Sequence, residues 1–116
     1  MLRLDHWDLL ERTELLAVNI IWYLRKSNFS KTDIRLYGQL TASSTSVALN
    51  IAEANWAISA KDFVRILTIA LRESYEARTQ MRIYWMSFDL DFTIYLQELH
   101  QIINILVSII KKTQTT

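Results

Sequence analysis

The stretch SAKDFVRILTIALRESYEARTQMRIYWMSF, residues 59–88, is where the fold is most readable. Within it Phe63, Leu67, Ala70, Ser74, Ala77, Met81, Tyr84 and Phe88 recur at alternating spacings of four and three, averaging about 3.5 residues, the seam of a left-handed helical bundle. At its start, Ser59-Ala60-Lys61-Asp62 has the form of a capping box with Asp in place of Glu, and Ile58 is placed to pack on Phe63 as a hydrophobic staple. The pattern predicts a helix that begins at Ser59 or Ala60.

The flanking sequence continues this pattern. Residues 5–26 carry a polar row, Asp5, Arg12, Asn19 and Lys26, beside two adjacent apolar rows, Leu9, Leu16, Ile20, Tyr23 and Leu10, Ala17, Ile21, Leu24. So wide an apolar surface predicts neighbours on two sides, including another subunit. Residues 27–31 read as a break, with Ser30 or Thr32 as the cap of a second helix that runs to about Asn55 and buries Tyr37, Leu40, Ser44, Val47 and Ile51. Asp89 or Asp91 is expected to cap a last helix with the seam Phe92, Leu96, Leu99, Ile103, Leu106 and Ile110, and residues 113–116 to fray. Thr93, Gln97, His100, Gln101, Asn104, Ser108 and Lys111 form its wet side. Short connections between four such helices predict an all-α fold, an antiparallel up-down-up-down four-helix bundle, with residues 1–116 as a single domain.

Composition narrows the function. The chain has 116 residues, one glycine (Gly38), no proline and no cysteine. One glycine cannot build the glycine-rich loops that cradle phosphates or dinucleotides. Without cysteine there is no disulfide framework, thiolate metal site or thiol nucleophile, and the cytoplasm is the expected compartment. The N-terminus interrupts its apolar residues with acids, unlike a secretory signal, and no uninterrupted apolar run approaches the ~20 residues of a membrane span; no membrane partner is expected. A formal charge of +1, from 13 Lys and Arg against 12 Asp and Glu, means that any nucleic-acid contact must come from a local patch.

Helical bundles often hold di-iron carboxylate sites built from Glu-x-x-His pairs. His6 and His100 are the two histidines, and Arg3 and Gln97 stand three positions before them. No metal and no cofactor is therefore expected, and with no Gly-x-Ser-x-Gly turn no catalytic residue is nominated: the protein reads as a non-enzyme. The basic residues of the central helix are the candidates for nucleic-acid binding. Lys61, Arg65 and Arg72 share one face, Arg78 and Arg82 another through their four-residue spacing. Mixed charge is ordinary on an exposed helix, and on that reading Arg72 pairs with Glu76; phosphate contact is the alternative, since the planar guanidinium donates in pairs. Trp22, Tyr23, Trp56, Tyr84 and Trp85 read as packing and subunit contacts.

Ser46-Val47-Ala48-Leu49-Asn50-Ile51-Ala52-Glu53-Ala54 resembles the signature Ser-Ile/Val-Pro-x-Asn-Ile-Ala-Glu-Gly of the 23S rRNA intervening-sequence proteins. Phe63, the run Ile69-Ala70-Leu71-Arg72-Glu73-Ser74 and Glu76 resemble that family's third helix. Ala48 stands where the family usually has Pro and Ala54 where it usually has Gly, so the second helix is expected to run through Ala48 with little or no kink. The resemblance implies a homo-oligomer, a pentameric ring, and a setting near RNA. A similar bundle is the accessory variability determinant of diversity-generating retroelements, which implies a reverse transcriptase and RNA or DNA as alternative partners. Ser46, Asn50, Glu53, Glu73 and Glu76 are the polar residues of the matching motifs. They serve either as a shared recognition point or structurally, Asn50 fastening its helix to a neighbouring backbone and Glu53 pairing with an arginine across the bundle. The structural role is the one expected, because a polar group in a bundle interface must be satisfied.

Overall fold

A chain whose one glycine is Gly38 must reverse direction on other residues. It uses Asn28 (φ 65°) and Asp89 (φ 54°), whose short polar side chains tolerate the left-handed region better than most. The computed structural model describes residues 7–115, in the order α1 (Trp7–Lys26), α2 (Phe29–Thr32), α3 (Ile34–Ala54), α4 (Ala60–Phe88) and α5 (Thr93–Gln114). The fold is all-α. Helix α1 packs on α3 and α5, and α4 packs on the same two helices, so the four long helices close a ring of contacts around one core. Tyr23, late in α1, meets Phe92 and Tyr95 at the start of α5, with ring centroids 5.4 and 5.0 Å away. The Tyr84 hydroxyl, late in α4, donates to the Leu36 carbonyl early in α3 at 2.9 Å. These contacts set the α1/α5 and α3/α4 pairs antiparallel, and the body measures 47 × 20 × 20 Å.

The predicted seams supply the core. In α4, Phe63, Leu67, Ala70, Ser74, Ala77, Met81 and Tyr84 are buried; Phe92, just before α5, and Leu99, Ile103, Leu106 and Ile110 within it are too, with Leu96 half-buried. Each large side chain so enclosed contributes about 1.5–3 kcal/mol of transfer free energy. Helix α3 continues unbroken through Ala48 to Ala54, as expected of a chain with no proline there. Its hydroxyl-rich run stays helical, with Ser44 Oγ donating to the Leu40 carbonyl at 2.7 Å and Thr45 Oγ1 to the Thr41 carbonyl at 2.6 Å, while the buried Thr41 hydroxyl finds no partner among the described residues.

Helix ends depart from expectation more often. Ser59 Oγ accepts the Asp62 N–H at 3.0 Å, the predicted cap, but Ile58 is 93% exposed and forms no staple on buried Phe63. Asp62 does not return the bond to Ser59; it takes Arg65 instead. Neither Ser30 nor Thr32 caps the second long helix. Residues 29–32 form α2, anchored by buried Phe29, and Thr32 Oγ1 bonds the Asn28 carbonyl and the Asp33 carboxylate. Before α5 the Asp91 carboxylate accepts both the N–H and the hydroxyl of Thr93, at 2.8 and 2.6 Å. Helix α5 runs on to Gln114 through the segment expected to fray, and Phe88, expected in the core, is 40% exposed while resting edge-on against Phe29. Helix α5 is also long and apolar enough to cross a membrane by length and composition; polar residues interrupt every apolar run in it, and its apolar side faces the other helices.

Urea denaturation checks two of these local readings. Ser59→Ala removes the cap and lowers the unfolding free energy by about 1 kcal/mol. Gly38→Ala, where an added Cβ meets nothing within 4 Å, raises it by roughly 0.5–1 kcal/mol; a less stable Gly38→Ala variant would contradict the open helical position seen here.

Candidate nucleic-acid interface

An α-helix turns about 100° per residue, and that rotation sorts the charged residues of α4. Lys61, Arg65 and Arg72 fall within about 40° of one another on the outward side, whereas Arg82 and Arg78 lie about 60° and 100° from Lys61, toward α5. The five basic residues therefore do not form one patch. Arg65 is held by Asp62 one turn earlier, with Nη2 2.8 Å from Oδ1, but its side chain is 62% exposed, so solvent screens the pair. Arg72 is exposed, and the expected pair with Glu76 is absent: among the described residues the ion pairs are Arg65–Asp62 and Arg12–Glu98. The Arg78 guanidinium sits 4.9 Å from the ring centre of Tyr75, a cation–π contact. Arg82 lies beside Trp85, Met86 and Leu96 at the α4/α5 edge.

Of the carboxylates of α4, Glu73 is turned toward α3, whereas exposed Glu76 stands one turn beyond Arg72, at the edge between the two sides. Glu73 and Glu76 line a groove of about 460 Å³ between α3 and α4, with Ser46, Ser43, Gln39 and Gln80. Ser43 Oγ donates to Gln80 Oε1 across it at 2.6 Å. Burial first, and then the charge of Glu76, push the Glu73 carboxyl above the usual range. Asn50 Nδ2 donates to the Ser46 carbonyl at 2.8 Å, one turn back on its own helix, so it does not fasten α3 to a neighbour. Glu53 is exposed and makes no ion pair among the described residues, so none of the described arginines is the partner expected across the bundle. Three of the five motif residues, Ser46, Glu73 and Glu76, thus share one wall-to-wall polar groove. Two carboxylates make it unsuited to phosphate.

Between α1 and α5, the Arg12 guanidinium donates to both Glu98 oxygens, at 2.9 and 2.7 Å, and to Gln101 Oε1 at 2.7 Å. Sequence reasoning missed this contact because its partners are 86 residues apart and no local spacing pairs them. The hydrogen bonds from Arg12 hold the Glu98 carboxyl below the usual range. Among the described residues no group of three or more His, Cys, Asp or Glu side chains converges to hold a metal; His100 is exposed beside Asn104, and His6 lies outside the described residues. Of the aromatics read as packing, Trp56 is 84% and Trp22 53% exposed, so the chain itself leaves them uncovered.

The two shifted carboxyls have opposite linkage. Glu98, lowered in the folded protein, stabilises it above the ordinary Glu pKa, and that contribution is lost as the pH falls through the folded value; Glu73, raised, stabilises only when protonated, a contribution lost as the pH rises. Thermal unfolding across pH checks the signs. At pH 7 Glu98→Gln lowers stability and Glu73→Gln raises it, each by about 1 kcal/mol or less because both sites are partly solvated. The Glu73 difference fades once the pH falls below the ordinary glutamate range, whereas the Glu98 difference persists further and is lost only as the pH falls through its lowered folded value.

A comparison with curated proteins finds no match. Among solved structures, the chain is similar to a protein of unknown function from the S23 ribosomal protein family of Bacteroides thetaiotaomicron, with 26% identity over 89% of this chain and 98% of that one and a TM-score of 0.78. Residues 6–112 match the family described as 23S rRNA-intervening sequence protein. That match takes in α1, α3, α4 and most of α5, including the signature at 46–54 and the groove it lines, and the chain belongs to the 23S rRNA-intervening sequence protein family.

Proposed function

We propose that this protein is a non-enzymatic, self-associating helical bundle of the cytoplasm that binds RNA, or the RNA of a ribonucleoprotein, through the outward side of α4. The observation that carries the reading is the sorting of charge around that helix. Lys61, Arg65 and Arg72 lie on one side over about 16 Å of helix, and Arg72 is exposed with no carboxylate bound to it among the described residues. Glu73 is turned toward the α3 groove, and Glu76, exposed on the rim of that groove one turn from Arg72, makes no ion pair with it among the described residues. The family name, tied to intervening sequences of 23S rRNA, supports the same ligand class. A second reading, a scaffold for a protein partner such as a polymerase, is favoured by Trp56 and Ile58, 84% and 93% exposed in the α3/α4 connection.

Binding of structured RNA across a salt series tests the first reading. Affinity falls steeply as salt rises, and a Lys61→Glu, Arg65→Glu, Arg72→Glu variant binds more weakly with the log–log slope reduced by about two to three. No binding at low salt, or unchanged binding by that variant, would remove RNA from this face and leave the protein-partner reading. Light scattering at micromolar concentration tests self-association: the expected mass is a multiple of 13.7 kDa, and a monomer contradicts it.

A further inference from the structure

We infer that two apolar grooves on opposite sides of the bundle are the two halves of one contact between copies of this chain, in which the α4/α5 edge of one copy, led by Met86, seats in the α1/α3 groove of the next. The inference rests on the self-association proposed above and adds which faces meet and in what sense.

The α1/α3 groove encloses about 360 Å³ and is lined by Ala17, Ala48 and Ala52 with Val18, Leu49 and Glu14. Three methyl side chains leave it shallowly concave, and its apolar rim is open, Val18 being 46% and Leu49 63% exposed. The α4/α5 edge is apolar as well, formed by Trp85, Met86 and Leu96 with Arg82. Met86 stands out from it, 79% exposed, and an unbranched thioether adapts to a groove floored by alanines. Because α1, α3, α4 and α5 close a ring of contacts in that order, these two faces are on opposite sides of the body. The intervening grooves are polar: Glu73 and Glu76 occupy α3/α4, and the Arg12–Glu98 pair crosses α1/α5.

Charge selects the pairing. Among the residues lining these two faces, Glu14 is the charged one on the first and Arg82 on the second. Joining like faces sets Glu14 against Glu14 or Arg82 against Arg82; joining unlike faces sets Glu14 against Arg82 beside a buried apolar contact. A contact between unlike faces is heterologous, so each copy keeps one free face of each kind and the assembly grows until it closes. Arg82 and Met86 then serve this contact near the end of α4, while Lys61, Arg65 and Arg72, about 15 Å or more away along the helix, stay outside it.

The test uses Leu49→Arg and Met86→Glu, both at exposed positions, with helicity confirmed by circular dichroism and mass by light scattering. Each variant alone is expected to fall to the mass of one chain. Mixed in equal amounts they are expected to form a species of two chains, one of each, because the first retains its Met86 edge and the second its groove. If both variants keep the wild-type mass, the contact lies elsewhere and self-association stands without it. If Met86→Glu alone keeps the wild-type mass, the contact joins like faces and the inference fails; it fails also if both are monomeric and no mixed pair forms. A monomeric wild type overturns the inference together with the self-association on which it rests, and leaves the grooves to a partner of different sequence.

Discussion

The close approach of α3 and α4 is the contact on which the other surfaces of this protein depend. It is permitted by small buried residues, Ser43 and Ser44 on α3 and Ala70, Ser74 and Ala77 on α4. Buried hydroxyls cost free energy unless they are bonded, and here Ser44 and Ser74 are satisfied by the Leu40 and Ala70 carbonyls one turn back, at 2.7 and 2.9 Å. The helices can then meet without a side-chain network between them, and Leu40, Val47, Ile51, Phe63, Leu67 and Met81 close around the seam. The Tyr84 bond to the Leu36 carbonyl ties the far end. A larger side chain at Ser74 or Ala70, both fully enclosed, would push the helices apart by overpacking.

Once α3 and α4 are set, the rotation of α4 assigns its charges. Glu73 falls in the groove with Ser46 and Gln80, Glu76 stands on its rim, and Lys61, Arg65 and Arg72 take the outward side. The remaining helices pack onto this pair, and four grooves of different chemistry result: acidic at α3/α4, ion-paired at α1/α5, and apolar at α1/α3 and α4/α5. In this account the polar outward face meets RNA and the two apolar faces meet neighbouring copies.

Much of the fold was legible because bundle seams are periodic. The α4 and α5 seams, the Ser59 cap and the uninterrupted α3 follow from spacing and from the lack of proline. What escaped was either tertiary or a matter of backbone angles. Arg12 meets Glu98 only once α1 and α5 lie side by side. Asn28 and Asp89 take the left-handed turns that glycine usually takes, so no glycine marked them. The Ile58 staple fails because the connection from α3 turns that side chain into solvent, although its spacing to Phe63 suits a staple. The candidate site was legible as a list of basic residues on one helix. Its division into an outward stripe and an α5-side pair, and the convergence of Ser46, Glu73 and Glu76, required knowing which side of α4 is buried.

The central claim is that one side of this bundle is built to receive the opposite side of another copy. The chain contains no cysteine, so a cysteine introduced at position 49 or 86 is the one thiol in the protein. Leu49→Cys and Met86→Cys variants, mixed and treated with a short bis-maleimide, measure the distance between unlike faces directly. The account predicts a cross-linked pair in the mixture and little in either variant alone. Efficient cross-linking of Leu49→Cys to itself, or none in the mixture while the wild type self-associates, would contradict it.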